Sequence, residues 1–281
     1  VVFGDSLSDA GTFPDMLSPT FDALRFTNRI GPTYGPGEAY AEVGTQQLAS
    51  LLGLQSNPAT PLVRPDTGGT NYAVGGYRTD EILNSITSSS DPGAGPRPGY
   101  LARYTRADAN ALYYLNGGGN DIFQGRDMVA AARDLAAGVG ALQAAGARYI
   151  IVSDLPDVGT TPLGAFSGQT AAFNLLSDQF NAELASRLQA QGGNYVLVNN
   201  RLLLSEVRAD LAAFGFAPNV AQTAVCFDSS SSTPCLPDPT YGLGGIAPDP
   251  SRLMFNDGVH PTTAVHQISA DYLYSLISAP W

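Results

Sequence analysis

Five short apolar runs, each stopped by glycine or by an Asn/Asp turn, leave this chain few ways to fold. The first is Val1-Val2-Phe3, which ends at Gly4-Asp5-Ser6. The second, Asn71-Tyr72-Ala73-Val74, ends at Gly75-Gly76. Residues 111–116 form an uninterrupted run that closes on Gly117-Gly118-Gly119-Asn120-Asp121, and residues 148–153 and 195–198 repeat the pattern. Runs of this length without alternation suit strands buried on both faces, as in parallel sheets. Helical periodicity fills the intervals. It predicts helices over 38–54, 127–145 (with Val129, Leu135, Val139 and Leu142 inward), 169–190 (with Phe173, Phe180 and Leu184) and 201–213. A last helix is expected from Pro261, a favoured first helical position, to about residue 277. Strands alternating with helices over the whole length predict a parallel α/β sheet covered on both faces. No long polar linker divides the pattern, so one domain is expected over residues 1–281.

Composition narrows the function. Hydrophobic residues make up 44% of the 281, and charged residues only 14%, as in a folded globular protein. All 14 basic residues are arginines, against 25 acids, for a net charge of −11. Nucleic acid and anionic membrane both require clustered positive charge, and no basic run exists. The absence of lysine also excludes a phosphate-loop lysine, a Schiff base and a Ser–Lys dyad. No run approaches the ~20 apolar residues of a transmembrane helix, and no signal peptide is visible at Val1. Cys226 and Cys235 are the only cysteines and have no histidine nearby, so a local disulfide is favoured over a metal site. That pairing points to an oxidising compartment.

The chemistry is sought at the ends of the strand runs, where open α/β sheets gather their ligands. Ser6 follows the first run directly; a helix-capping serine accounts for the same residues locally. A nucleophilic serine needs a base, and only His260 and His266 are available. His266 falls inside the last helix and is expected to pack or cap there. His260 stands three residues after Asp257, with Gly258 between them, a spacing that lets the carboxylate reach Nδ1 while Nε2 faces a serine. An incidental histidine at a capped helix start is the plain alternative. Oxyanion donors are offered by the backbone N–H of Gly76 and the side-chain amide of Asn120, with Ser6 N–H as a third. A tight turn and an Asx turn are the corresponding structural explanations.

Taken together, four blocks resemble those of the GDSL, or SGNH, hydrolase family. They are Gly4-Asp5-Ser6-Leu7-Ser8-Asp9, Asn71-Tyr72-Ala73-Val74-Gly75-Gly76, Gly118-Gly119-Asn120-Asp121 and Asp257-Gly258-Val259-His260-Pro261, in that order. The resemblance implies a three-layer α/β/α fold around a five-stranded parallel, flavodoxin-like sheet. It also implies carboxylic-ester hydrolysis through an acyl-enzyme, as in esterases and lipases, without cofactor or metal. Ser6 is then the nucleophile, His260 the base and Asp257 its orienting acid. Ser6, Gly76 and Asn120 form the oxyanion hole, with Gly75 an alternative to Gly76. Asp5, Asp9 and Asp121 are assigned to turns and networks.

The substrates implied are small acyl esters or lipids of short to medium chain. A lysophospholipase or acyltransferase on the same site, or a catalytically silent surface-binding module, are the competing functions. Phe26-Thr27-Asn28, the segment Leu155-Pro156-Asp157-Val158-Gly159 and the two cysteines look most like secreted or autotransporter-passenger bacterial esterases. Those enzymes carry a passenger esterase, displayed at the cell surface, before an outer-membrane barrel, and the resemblance implies such a passenger or a secreted relative. Asn256 departs from relatives, which often carry an aromatic there. Ser6 lacks a Gly-x-Ser-x-Gly elbow, which argues against the α/β-hydrolase fold.

Overall fold

A computed structural model describes residues 1–20, 22–59, 69–90, 97–218 and 223–278. Phe21 and residues 60–68, 91–96, 219–222 and 279–281 lie outside this description. In chain order the elements are β1 (Val2–Phe3), α1 (Gly44–Leu51), α2 (Thr79–Thr87), α3 (Tyr100–Tyr104), β2 (Leu112–Leu115), α4 (Gly119–Phe123) and α5 (Met128–Ala144). They continue with β3 (Tyr149–Ser153), α6 (Pro162–Phe166), α7 (Thr170–Gln191), β4 (Val196–Val198), α8 (Asn200–Ala209), β5 (Val225–Cys226), β6 (Leu236–Pro237) and α9 (Thr263–Ser278). The described residues form two compact units, each assembled from separated stretches of chain.

The first unit comprises residues 1–13, 56–156 and 175–200. Its sheet is parallel and four-stranded, in the order β1-β2-β3-β4. In β3 the four residues from Ile150 to Ser153 are all buried, so both faces of the strand are covered. The expectation of five strands is corrected to four. Residues 70–74 do run beside β1, with Tyr72 N–H donating to Val2 O at 2.7 Å and Val74 N–H to Gly4 O at 3.1 Å. They form only single bridges, from Asn71 to Val2 and to Pro58. The next rung would need the Gly4 N–H on Tyr72 O, and that oxygen instead accepts Arg97 Nη2 at 2.9 Å. Packing is aromatic on one side, where Phe3 lies 5.5 Å from Tyr72 and 5.8 Å from Tyr100. Helices α2 and α5 meet where Gly138 leaves room for the Ile86 side chain; a β-carbon there would lie 2.8 Å from Ile86 Cδ1. Asp127 caps α5 by accepting the Val129 N–H at 2.9 Å.

The second unit comprises residues 14–55, 157–174 and 201–281. Its core gathers Val207, Leu211, Phe216, Phe227, Leu253, Met254 and Val265. Helix α1 packs on α9, with Gln47 Nε2 donating to Thr263 Oγ1 at 2.8 Å. The N-terminus of α9 departs from expectation. Pro261 pairs as an antiparallel bridge with Phe255, and Thr262 donates from its N–H to Met254 O and from Oγ1 to Leu253 O. These bonds hold 261–262 extended, and the helix starts at Thr263. Helix α1 is also shorter than its periodicity suggested, because Tyr40 is held in an antiparallel bridge with Arg29. The disulfide between Cys226 and Cys235 is present, with Cα atoms 6.0 Å apart.

Candidate active site

In the first unit three consecutive parallel segments end at one edge of the sheet. Residues 71–74 deliver Gly75-Gly76, β1 delivers Gly4-Asp5-Ser6, and β2 delivers Asn116 and the glycine run before Asn120. Ser6 is buried, on a turn fastened from beneath. Asp5 Oδ1 accepts the Leu7 N–H at 3.0 Å and Asn116 Nδ2 at 2.8 Å, and Ser8 Oγ donates to Asn116 Oδ1 at 2.6 Å. Asp5 therefore serves the turn, as its assignment to a network role anticipated.

Gly75 and Gly76 differ in their hydrogen bonding. Gly75 N–H donates to Asp9 Oδ2 at 2.8 Å and is spent. The Gly76 amide makes no hydrogen bond among the described residues. Gly76 has φ +87° and no heavy atom within 4 Å of a would-be β-carbon. The position thus demands glycine for its backbone, not for space. Asn120 sits on the first turn of α4, where the sequence suggested only a loop, and its Nδ2 donates to Tyr77 O at 2.9 Å. An amide nitrogen carries two protons, so one remains for a ligand. The neighbouring Asp121 is fully buried and accepts from Thr79 N–H, Thr79 Oγ1 and Arg126. It anchors α4 against α2 and is absorbed by that role.

In the second unit Asp257 and His260 meet directly, with Oδ2 2.8 Å from the ring Nδ1. The other carboxylate oxygen accepts the N–H groups of Val259 at 2.9 Å and His260 at 2.8 Å. Burial pushes the Asp257 pKa up, but the His260 charge, its hydrogen bond and the two amides outweigh it and leave the carboxyl below its usual range. Phe26 packs on the imidazole with ring centroids 5.0 Å apart. Sequence reasoning noticed Phe26-Thr27-Asn28 only as a family likeness. Its physical role is a clamp: Thr27 Oγ1 donates to Pro261 O at 3.1 Å, and Asn28 Oδ1 accepts the Thr263 N–H at 2.8 Å. His266 is buried in α9, as expected for a packing residue, and burial drives its pKa down to about 4. Among the described residues no cluster of His, Cys, Asp or Glu is arranged to hold a metal, and no helix is long and apolar enough to cross a membrane.

A parallel α/β sheet with a serine turn, a glycine turn and an asparagine at its strand ends is the SGNH-type hydrolase fold. The model of the GDSL-like lipase/acylhydrolase family matches residues 1–273, and the chain belongs to that family. Among curated relatives, the esterases EstA of Pseudomonas aeruginosa and of Pseudomonas putida are each 46% identical over 314 aligned residues. All of this chain is covered, but it spans about half the length of these relatives, 47% in each. Among solved structures, a variant of an acetyl-xylooligosaccharide esterase from Geobacillus aligns over 100% of this chain and 94% of its own, at 13% identity and a TM-score of 0.49.

Proposed function

We propose that this chain, as one catalytic domain over residues 1–281, hydrolyses carboxylic esters through an acyl-enzyme on Ser6. The observation that carries the reading is the Asp257–His260 pair, 2.8 Å apart at Oδ2 and Nδ1, in a chain that belongs to the GDSL-like family. With Nδ1–H held by the carboxylate, the imidazole keeps the tautomer whose Nε2 accepts a proton. His260 takes the Ser6 hydroxyl proton as Oγ bonds to the ester carbonyl carbon. The negative charge on the former carbonyl oxygen is met by the N–H groups of Ser6 and Gly76 and by Asn120 Nδ2, each worth about 3–4 kcal/mol in the transition state. The tetrahedral adduct collapses, the alcohol leaves with the proton from His260, and water repeats the sequence to release the acid. The scheme needs no cofactor or metal.

Small acyl esters or lipids of short to medium chain are the proposed substrates, in line with the EstA esterases at 46% identity. The disulfide supports a secreted or cell-surface location for a bacterial enzyme of this kind, with an outer-membrane barrel as the further part of a longer protein. The test is covalent labelling with an alkyl fluorophosphonate, read by peptide mass. Modification of Ser6, abolished in Ser6→Ala together with ester turnover, is expected. A folded protein that turns over esters with Ser6 unlabelled or replaced would overturn the reading.

A further inference from the structure

We propose that Asp9 is the positioning residue of the oxyanion hole, holding the turn at 74–77 that sets both Gly76 and Asn120. The inference rests on the oxyanion roles proposed above for those two residues. Asp9 is fully buried. Its Oδ1 accepts the N–H groups of Gly11 at 2.9 Å and Thr12 at 2.8 Å, and its Oδ2 accepts that of Gly75 at 2.8 Å. Thr12 Oγ1 reaches the same segment and donates to Ala73 O at 3.2 Å. The loop after the nucleophile thus grips residues 73 and 75 from both sides.

What the grip controls is the next amide. Tyr77 N–H donates to Val74 O at 3.2 Å and closes a turn whose third residue, Gly76, has φ +87°. That is the left-handed position a type II turn assigns to glycine. Asp9, by holding the Gly75 N–H, fixes the 74–75 peptide that enters the turn, and the turn closed on it with Gly76 at φ +87° then sets the 75–76 peptide and with it the direction of the Gly76 N–H. The last residue of the turn passes the same constraint on, because Tyr77 O accepts one proton of Asn120 Nδ2 at 2.9 Å. The second amide proton of Asn120 then has a fixed direction too. One buried carboxylate therefore sets two donors that come from different segments of the chain.

A carboxylate suits the position because its partners, three N–H groups and the Thr12 hydroxyl, are all donors. Asparagine would turn an NH₂ group toward one of them. Asp9 touches no reacting atom; it acts through Gly75.

The experiment compares Asp9→Asn, Thr12→Val and Asn120→Ala in the full chain. It measures kcat and KM on a chromogenic ester and the affinity for an alkyl trifluoromethyl ketone, whose tetrahedral adduct carries an oxyanion. Asp9→Asn is expected to lower kcat by about a hundredfold with KM changed less than about twofold. Ketone affinity should fall by the same factor as kcat/KM. Thr12→Val is expected to lose about tenfold in both, and Asp9→Asn combined with Asn120→Ala to lose less than the product of the single losses. A destabilised scaffold without misdirected donors would not divide kcat from KM in this way.

If Asn120→Ala lowers kcat and ketone affinity while folded Asp9→Asn leaves both unchanged, the positioning role is overturned. If Asn120→Ala itself has no effect, the oxyanion reading beneath it has failed. Should Asp9→Asn not fold, Thr12→Val decides: unchanged kcat and ketone affinity in that variant overturn the proposal.

Discussion

A β-carbon on Gly4 would collide with the side-chain amide of Asn116. The amide fills that space because it bridges Asp5 and Ser8 on either side of Ser6, accepting from Ser8 Oγ at 2.6 Å and donating to Asp5 Oδ1 at 2.8 Å. Gly4→Ala is therefore expected to displace Asn116, cost about 1–3 kcal/mol of stability and reduce ester turnover by at least about tenfold. Thermal unfolding and steady-state kinetics check both parts. An alanine tolerated without either effect would show that the amide does not brace the serine turn.

Removing the charge from Asp257 should act on chemistry more than on binding. Asp257→Asn keeps the size of the side chain but cannot accept the Nδ1 proton at Nδ2, which favours the opposite tautomer. A fall in kcat of about 10³–10⁴ with KM little changed is expected. A loss below about tenfold would mean that Asp257 does not orient the base.

The buried His266 predicts an acid-sensitive fold. Burial pushes its pKa down to about 4, with the His260 charge adding to the effect and a hydrogen bond to the Phe26 backbone opposing it. In the unfolded chain the same ring protonates near pH 6.5. Between these values the unfolded state binds more protons, so stability falls as pH drops from about 6.5 to 4, by up to about 3 kcal/mol. The depressed Asp257 carboxyl has the same sign but acts lower: its contribution is complete above its unfolded value and is lost as pH falls through its folded one. Denaturant unfolding at several pH values should show the slope, and His266→Gln should remove most of it above pH 4. Equal slopes in the two proteins would refute the assignment.

The disulfide ring backs the turn that carries Asp257 and His260. Thr233 Oγ1 accepts the Gly258 N–H at 3.1 Å, Phe227 N–H donates to Phe255 O at 2.9 Å, and Asp228 N–H donates to Asn256 O at 2.6 Å. Replacing Cys226 and Cys235 by serine is expected to cost about 2–3 kcal/mol. It should also lower kcat, because the loosened ring carries residues 255–258. Unchanged kcat in a less stable variant would confine the bridge to stability.

What could be read from the sequence followed the range of the interactions. β2, β3 and α5 were legible because their burial is written as local runs and as 3.6-residue periodicity, and Asp127 even marked the start of α5. The four blocks were legible because each spans only a few residues. Segment 71–74 misled, since whether an extended run becomes a strand depends on its partners, and Tyr72 O is bound by the Arg97 side chain instead of by the backbone beside it. Pro261 misled because two bonds of Thr262 to residues 253 and 254 outweigh the preference of proline for a first helical position. The clamp of Phe26, Thr27 and Asn28 on residues 260–263 spans more than 230 positions, 234 from Thr27 to Pro261, and no local pattern encodes it.

Asp257 divides its two oxygens between different tasks. One holds the backbone of its own turn, and the other holds the imidazole. The alignment of carboxylate and imidazole is thus written into four consecutive residues and does not have to be assembled from distant parts of the chain. Substitutions elsewhere will change where this small rigid piece is carried far more readily than they change its internal geometry. The turn at 74–77 and the Asn120 side chain bound to it are built in the opposite way, from residues 9, 12, 75, 77 and 120, and it is there that sequence divergence has the most ways to alter geometry.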